Sequence, residues 1–229
     1  EADRVSNYFS GILLLNDNQY NASYKYLKKL NGLQESHNNY SIKYLYSLVN
    51  SGNLDEAFKY SKRLEKQKLE SFESHLVTGI FYLKNSNLDL AKKYFLKAKN
   101  RNPGFILNNY VVNSLYNWSS LKNKNINSAN LELKKLDKRF ENIKKIQNVF
   151  LHCYYESKNT NNLFNELFSN QKTDFSRYKY FQASYAASSE KINEAKNIVR
   201  SALKIYPRNL LLNQYRIDLN GEKNVSPFN

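Results

Sequence analysis

The side chains that could do chemistry are few in this chain, and they are widely separated. His152, Cys153 and Glu156 lie within about one helical turn, a spacing that could supply two or three ligands to a metal ion. The other histidines, His37 and His75, are far from this group in the sequence. Cys153 as a nucleophile would need a base and an orienting group, and the sequence offers neither. We expect Cys153 to be a small buried apolar residue.

Sequence motifs of the common catalytic sites are absent from the 229 residues. There is no Gly-rich phosphate-binding loop, no paired-cysteine zinc spacing and no HExxH helix. We therefore predict a protein that is not an enzyme, with no metal, no cofactor and no small-molecule substrate.

The strongest pattern is a repeat of 34 residues that specifies pairs of helices. In its best copy, residues 85–91 form a turn in which Asn and Ser compete for backbone hydrogen bonds and end the first helix. Ala91 and Gly79 are small and let the two helices approach closely. Phe95 fills a wider gap between them. Pro103 ends the second helix because proline cannot continue it.

The same turn recurs along the chain. Ala57 stands 34 residues before Ala91, and Ser23 stands 34 residues before Ala57. Ala129 follows Ala91 after 38 residues, and Ala195 follows after a further 66, which is about two periods. A degenerate repeat is therefore predicted in between, with helices over 146–156 and 162–170. The predicted borders are repeats near 4–36, 38–70, 72–104, 110–142, 144–172 and 176–208, a capping helix at 209–220 and a tail at 221–229.

These residues resemble the tetratricopeptide repeat family over roughly residues 4–210. The family pattern places Gly or Ala, an aromatic, a hinge with Ala, and a final Pro at fixed steps. This chain departs from it at Ser23, which replaces a hinge alanine, and in lacking the early Trp. The resemblance implies an all-α fold, a right-handed α–α superhelix (solenoid) of about six helical hairpins plus a C-terminal helix. More loosely, residues 8–11 and 114–119 look like tetratricopeptide repeat proteins of unassigned function from alphaproteobacteria.

The resemblance also implies a binding surface, because the first helix of each pair lines the concave side in this family. The predicted groove residues are apolar or amphipathic and form one stripe per helix: Tyr8, Ile12, Ile42, Tyr46, Leu76, Ile80, Trp118, Leu121 and Tyr180. We predict a non-enzymatic protein–protein interaction scaffold that binds a peptide or a helix in this groove. Packing between repeats is the alternative role for these positions. No cation stands among them, so a clamp for a C-terminal carboxylate is not expected.

The net charge of +15 suggests a second function. Cations collect on the second helices and are densest over residues 122–145, so a basic convex face could bind nucleic acid or an anionic membrane. A solvated face in a protein from an A/T-rich gene explains the same composition, and the tyrosines stand at core spacing and do not interleave with these cations.

The compartment is not fixed by the sequence. The single cysteine cannot form an internal disulfide, and no apolar run approaches the length of a membrane span. The chain begins at Glu1 and has no Met, so we expect that a leader or a longer N-terminal segment has been removed. The bacterial cytoplasm, or the periplasm or a membrane surface after leader removal, all remain open.

Overall fold

The computed structural model describes residues 2–101, 104–169 and 175–221, and within these ranges it contains α-helices, short 3-10 turns and no β-strand. The predicted stop at Asn102-Pro103, the end of the predicted helix at Asn170 and the tail from 222 onward lie outside the described residues. The helices are α1 (Ala2–Asn16), α2 (Tyr20–Lys28), α3 (Asn38–Asn50), α4 (Leu54–Lys66), α5 (Phe72–Lys84), α6 (Leu88–Asn100), α7 (Ile106–Trp118), α8 (Ile126–Lys134), α9 (Glu141–Tyr154), α10 (Thr160–Phe168), α11 (Ser176–Ser188), α12 (Ile192–Ile205) and α13 (Leu210–Asn220).

The helices pack as two compact units, Glu1–Lys124 and Asn125–Asn229. In unit 1 each helix from α1 to α7 packs on the next along the chain, and the first helices also touch, α1 with α3 and α3 with α5. In unit 2, α8 packs on α9 and α9 on α10, while α11, α12 and α13 contact one another. The predicted fourth repeat, 110–142, is divided, because its first helix α7 belongs to unit 1 and its second helix α8 to unit 2.

The turns inside the first three hairpins share one backbone conformation. Asn18, Gly52 and Ser86 have φ of 60°, 80° and 57°, and they stand 34 residues apart. The residue that follows each of them donates its N–H to a carbonyl five residues back, as Asn87 does to Tyr82 at 2.9 Å. This is the Schellman ending of a helix, in which one left-handed residue satisfies the last carbonyls. The conformation therefore repeats even where the residue is not glycine.

The hinge alanines are buried, as the repeat predicts. Ala57, Ala91, Ala129 and Ala195 are all 0% exposed. Ser23, which stands in the hinge position of the first hairpin, is also fully buried, and its Oγ donates a 2.7 Å hydrogen bond to the carbonyl of Gly11 on α1. The serine therefore keeps the close approach of α1 and α2 and satisfies its own hydroxyl.

Close contact between the two helices of a hairpin depends on pairing a small residue with a large one. A Cβ added at Gly79 of α5 would lie 2.5 Å from the ring of Phe95 on α6. In the middle hairpin the sizes are exchanged, since Leu45 and Ser61 occupy the positions one period before Gly79 and Phe95, and both are buried. Either helix of a hairpin can therefore carry the large residue at these positions.

Successive second helices in unit 1 are joined by a charged cluster. Glu65 of α4 accepts hydrogen bonds from Lys62 of its own helix and from Tyr94 and Lys97 of α6. Burial raises the pKa of Glu65, but the donors outweigh it and hold the pKa at about 2. A few residues on, Arg101 pairs with Glu70 at 3.4 Å.

The weakest repeat in the sequence is also helical. Its first helix, α9, begins at Glu141, five residues before the predicted start, and α10 runs from Thr160 to Phe168. Within the described ranges, no helix combines the length and the apolar character that crossing a membrane requires.

Candidate partner-binding surface

One row of apolar side chains crosses three adjacent first helices of unit 1. Ile12 on α1, Tyr46 on α3 and Ile80 on α5 are each 34 residues apart, so they occupy the same position of successive helices. Tyr46 is 50% exposed and Ile80 36%, while Ile12 is half-buried. Because α1 touches α3 and α3 touches α5, the three positions stand on neighbouring helices, and the ring of Tyr46 also meets that of Tyr20 on α2 edge-on at 6.0 Å. We call these three residues the first-helix row.

The second predicted row lies deeper. Tyr8, Ile42 and Leu76 are half-buried and again one period apart. Tyr8 packs against the core around Leu27 and Tyr40, and its ring centroid is 5.2 Å from that of His37. Leu76 packs against the core around Phe95. These residues form a floor beneath the first-helix row and contribute less to the surface.

The remaining predicted groove residues are placed differently. Leu121 does not lie on a first helix: it stands in the 3-10 turn Leu121–Asn123 after α7 and is only 2% exposed, so its assignment to a groove is corrected. Trp118 is the last residue of α7 and is half-buried. Tyr180 belongs to unit 2, where its ring meets Tyr215 of α13 edge-on at 4.8 Å. The first-helix row is therefore built from α1, α3 and α5 alone.

Sequence reasoning missed an exposed apolar stripe on α1. Val5, Phe9 and Leu13 are 55%, 61% and 64% exposed and stand four residues apart on one side of the helix. Two periods later, Phe9 and Leu13 correspond to Val77 and Phe81 of α5. There the same side is covered, since Val77 is 8% exposed and Phe81 stacks on Phe58 of α4 at 3.8 Å. The four-residue spacing was visible in the sequence, but the exposure depends on which helix packs on that side.

Several lysines have acidic partners, both on or next to the second helices and on the first helix α9. Lys59 pairs with Glu56 at 2.8 Å, Lys135 with Glu132 at 2.8 Å and Lys144 with Glu141 at 2.9 Å. These pairs neutralise part of the basic surface, including the stretch 122–145 where cations are densest.

Tyrosines lie beside several of the cations, which the sequence did not predict. Lys28 stands 5.4 Å from the ring of Tyr24, and Lys29 stands 5.2 Å from the ring of Tyr26. These are cation–π distances.

The chemistry-bearing residues do not form a reactive site. Burial raises the pKa of the Cys153 thiol to about 12, and the side chain is 7% exposed, so the nucleophilic thiolate is suppressed. Burial lowers the pKa of His152, whose Nδ1 is buried without a hydrogen-bond partner. In the described ranges no three His, Cys, Asp or Glu residues are grouped as a metal site would require.

Comparison with known proteins gives the fold. No family profile and no curated protein sequence matches the chain. A chain of the APC/C hetero-tetramer Cut9–Hcn1 is similar in structure with a TM-score of 0.60 at 12% identity, over 94% of this chain and 42% of that one. This chain thus spans about two fifths of that relative's length. PilF of Pseudomonas aeruginosa is similar with a TM-score of 0.59 at 14% identity, over 95% of this chain and 98% of PilF.

Both of these relatives are tetratricopeptide repeat proteins. Their likeness agrees with the 34-residue period, the buried hinge residues and the stacked hairpins seen in this chain. The chain has the all-α helical-repeat fold of the tetratricopeptide repeat proteins.

Proposed function

We propose that the protein is a non-enzymatic interaction scaffold that binds a peptide or a helix of a partner protein along the first-helix row. The observation that carries this proposal is the row itself: Ile12, Tyr46 and Ile80 repeat at one helical position on three touching helices and keep apolar surface exposed. Apolar side chains repeated in this way offer an extended strip, which suits the apolar face of a segment from another chain.

The fold supports a protein partner. A repeat array presents an extended surface and has no enclosed site of its own. The similar chain Cut9–Hcn1 was solved as a hetero-tetramer, which shows this fold engaged with other chains in that protein. Tyr46 adds a hydroxyl to its apolar ring, the type of side chain that often anchors protein interfaces.

Site-specific photo-crosslinking with the 229-residue chain tests whether a partner binds at the first-helix row. A photoreactive phenylalanine analogue is placed at Ile80 on the first-helix row and, in a matched protein, at Leu96 on α6, which is 44% exposed. We expect discrete adducts with a partner protein from Ile80 and none of the same adducts from Leu96. Identical adducts from both positions would contradict the row as the binding site.

A second candidate function is an adaptor for nucleic acid or an anionic membrane. The lysine–tyrosine pairs favour it, since Lys28 with Tyr24 and Lys29 with Tyr26 place a phosphate-binding charge beside an aromatic ring at the end of α2. Of the two rings, Tyr26 is 37% exposed, whereas Tyr24 packs on the core. Binding to single-stranded RNA or to phosphatidylglycerol vesicles should weaken steeply with added salt if this face is used. Salt-insensitive binding, or no binding, excludes it.

A further inference from the structure

The last two helices of the described ranges align with an earlier pair at a constant offset. Helix α4 begins Leu-Asp-Glu-Ala at residue 54, and α12 begins Ile-Asn-Glu-Ala at residue 192, an offset of 138 residues. At the same offset, Ser71 and Asn209 are the N-caps of α5 and α13, and each accepts a hydrogen bond from the N–H three residues on. Helices α4 and α5 therefore show what each position of α12 and α13 contacts when a further helix follows.

In unit 1 that further helix is α6, and it covers both α4 and α5. Phe72 at the start of α5 is 7% exposed, and Gly79 lies against the ring of Phe95. On the α4 side, Lys62 bonds to Tyr94 of α6.

The corresponding surface of α12 and α13 is open. Leu210, at the position of Phe72, is 85% exposed, and Ile217, at the position of Gly79, is 59% exposed. No helix within the described ranges stands over them. Between α12 and α13 lies a cavity of about 320 Å³ with an apolar floor and a basic rim. The residues that line it are Lys196, Val199, Arg200, Leu203, Lys204, Arg216, Leu219 and Asn220.

The charge of this surface is one-signed. Lys196, Arg200, Lys204 and Arg216 form no ion pair or hydrogen bond with any described residue. The two carboxylates on these helices are engaged elsewhere: Glu194 pairs with Lys191 at 3.8 Å, and Asp218 accepts a hydrogen bond from Gln214.

The α12–α13 surface lacks the two carboxylates that the covered pair offers to α6. Where the α4–α5 surface offers Glu65 and Glu70 to the cations of α6, the α12–α13 surface has Leu203 and Arg208. A helix that docks here therefore needs carboxylates at the positions where α6 carries Tyr94 and where Arg101 follows it, opposite Arg200 and Arg208, and an apolar residue at the position of Lys97, opposite Leu203.

We infer that this C-terminal face, formed by Arg200, Leu203, Arg208, Leu210 and Ile217, docks an acidic amphipathic helix of a partner protein. The docked helix takes the place that α6 has over α4 and α5. Its apolar side meets the leucines and Ile217, and its carboxylates meet the arginines. This binding does not depend on the first-helix row, because it uses different residues in the other unit.

The pairing of a small residue with a large one inside a hairpin predicts the size of one residue of the partner helix, the one that lies opposite Ile217. On α5 the small Gly79 accepts the large Phe95, whereas one period earlier α3 carries the large Leu45 and α4 the small Ser61, both buried. Ile217 is large, as Leu45 is. The partner helix therefore carries Ala or Ser opposite Ile217, and an aromatic residue there would be excluded.

The probe is a stapled 14-residue helical peptide in the register of residues 88–101. It carries Ala at the positions of Ala91, Phe95 and Ala98, Leu at the position of Lys97, and Glu at the positions of Tyr94 and Arg101. A control peptide has Gln in place of both Glu residues. Fluorescence anisotropy with the 229-residue chain should show the Glu peptide binding at least about tenfold more tightly than the Gln peptide, because only the former pairs with the arginines. Equal affinities would overturn the inference.

Variants of the protein locate the site. Arg200→Gln with Arg208→Gln should lower the affinity for the Glu peptide about tenfold or more. Lys66→Gln with Lys93→Gln removes the same charge from exposed positions of α4 and α6 and should leave the affinity unchanged. Ile217→Glu, at a position 59% exposed, should fold normally and abolish binding. An equal loss in the lysine variant would overturn the inference.

The same protein variants test two other occupants of the C-terminal face, a lipid surface and a second copy of this chain. If phosphatidylglycerol vesicles bind through Arg200 and Arg208 and the Glu peptide does not, the face binds lipid and the inference fails. If sedimentation shows a dimer that the arginine variant abolishes, and again no peptide binds, the occupant is a second copy and the inference fails. Tyr46→Gln with Ile80→Gln should leave peptide affinity unchanged, so failure here is distinguishable from failure of the first-helix row.

Discussion

Gly79 of α5 lies directly against the ring of Phe95 of α6, so closely that a Cβ on the glycine would be 2.5 Å from the ring. Phe95 is 0% exposed and packs in the core with Phe72, Ala91 and Ala98. The contact joins the two helices of the best-formed hairpin, and both residues were identified from the repeat spacing.

Replacing Gly79 with Ala tests this contact. Helix propensity alone would stabilise the protein by about 1 kcal/mol. Because the new methyl group overlaps a buried ring, we expect instead a net loss of about 1–3 kcal/mol in the free energy of unfolding. Urea denaturation measures it, with Lys84→Ala on the exposed end of the same helix as the control. A stabilised Gly79→Ala protein would show that the helices are farther apart than described.

The left-handed turn residues predict a stabilising change. Ser86 has φ of 57°, a conformation that costs a non-glycine residue roughly 1–2 kcal/mol. Ser86→Gly should therefore raise the free energy of unfolding by about 0.5–1 kcal/mol after the added chain entropy of glycine is subtracted. Its neighbour Asn85, with φ of −92°, gains nothing from the same change and serves as the control. Thermal unfolding measures the stability of both variants, and only Ser86→Gly should be more stable than the parent protein.

The charged cluster around Glu65 predicts a pH dependence. The pKa of Glu65 is about 2 in the folded protein and about 4.3 in an unfolded chain. A depressed folded-state pKa contributes stability above the unfolded value and loses it as the pH falls toward the folded value. We expect Glu65→Gln to be about 1–2 kcal/mol less stable than the parent at pH 7, since part of the effect is screened by solvent.

The difference between the two proteins should shrink as the pH falls from about 4.5 toward 2. Chemical denaturation at several pH values follows it, and Glu56→Gln, whose carboxylate pairs with Lys59 in an exposed position, is the control. A difference that stays constant down to pH 2.5 would mean that the cluster does not hold the Glu65 charge.

Cys153 should be unreactive in the folded protein. Its pKa of about 12 and its 7% exposure leave almost no accessible thiolate at neutral pH. We expect reaction with a disulfide reagent to be slower by at least about a hundredfold in the native protein than in urea. One thiol should titrate after unfolding, because the chain has a single cysteine. Rapid reaction of Cys153 with the reagent in the folded protein would contradict its burial and its raised pKa.

The sequence predicted the positions that depend on a residue and its own hairpin. Ala91, Gly79 and the turn at Ser86 follow from contacts within about 34 residues, so their spacing carried enough information. The exposure of a side chain could not be predicted from this spacing. Phe9 and Val77 occupy the same helical position, yet one is 61% exposed and the other 8%, because α4 packs on α5 on that side and no helix of the described ranges does so on α1.

The candidate surface shows the same limit. Tyr46 and Ile80 were predicted and are exposed, whereas Leu121 was predicted and is buried, since the chain leaves the helix before reaching it. The division of the predicted fourth repeat between two units was also beyond the sequence, because α7 and α8 each have a helical pattern that does not reveal which neighbours they pack on.

The most direct test of the account is the affinity of a peptide for the first-helix row. A peptide selected from a displayed library on the 229-residue chain is titrated against two matched variants, Tyr46→Gln with Ile80→Gln and Tyr26→Gln with Leu96→Gln. All four positions are at least 36% exposed, so the folds should survive. Because the first variant loses two apolar contacts, we expect its dissociation constant for the peptide to be at least about tenfold larger. The dissociation constant of the second variant should not change. Equal affinity of both variants, or a loss confined to the second, would contradict the central proposal.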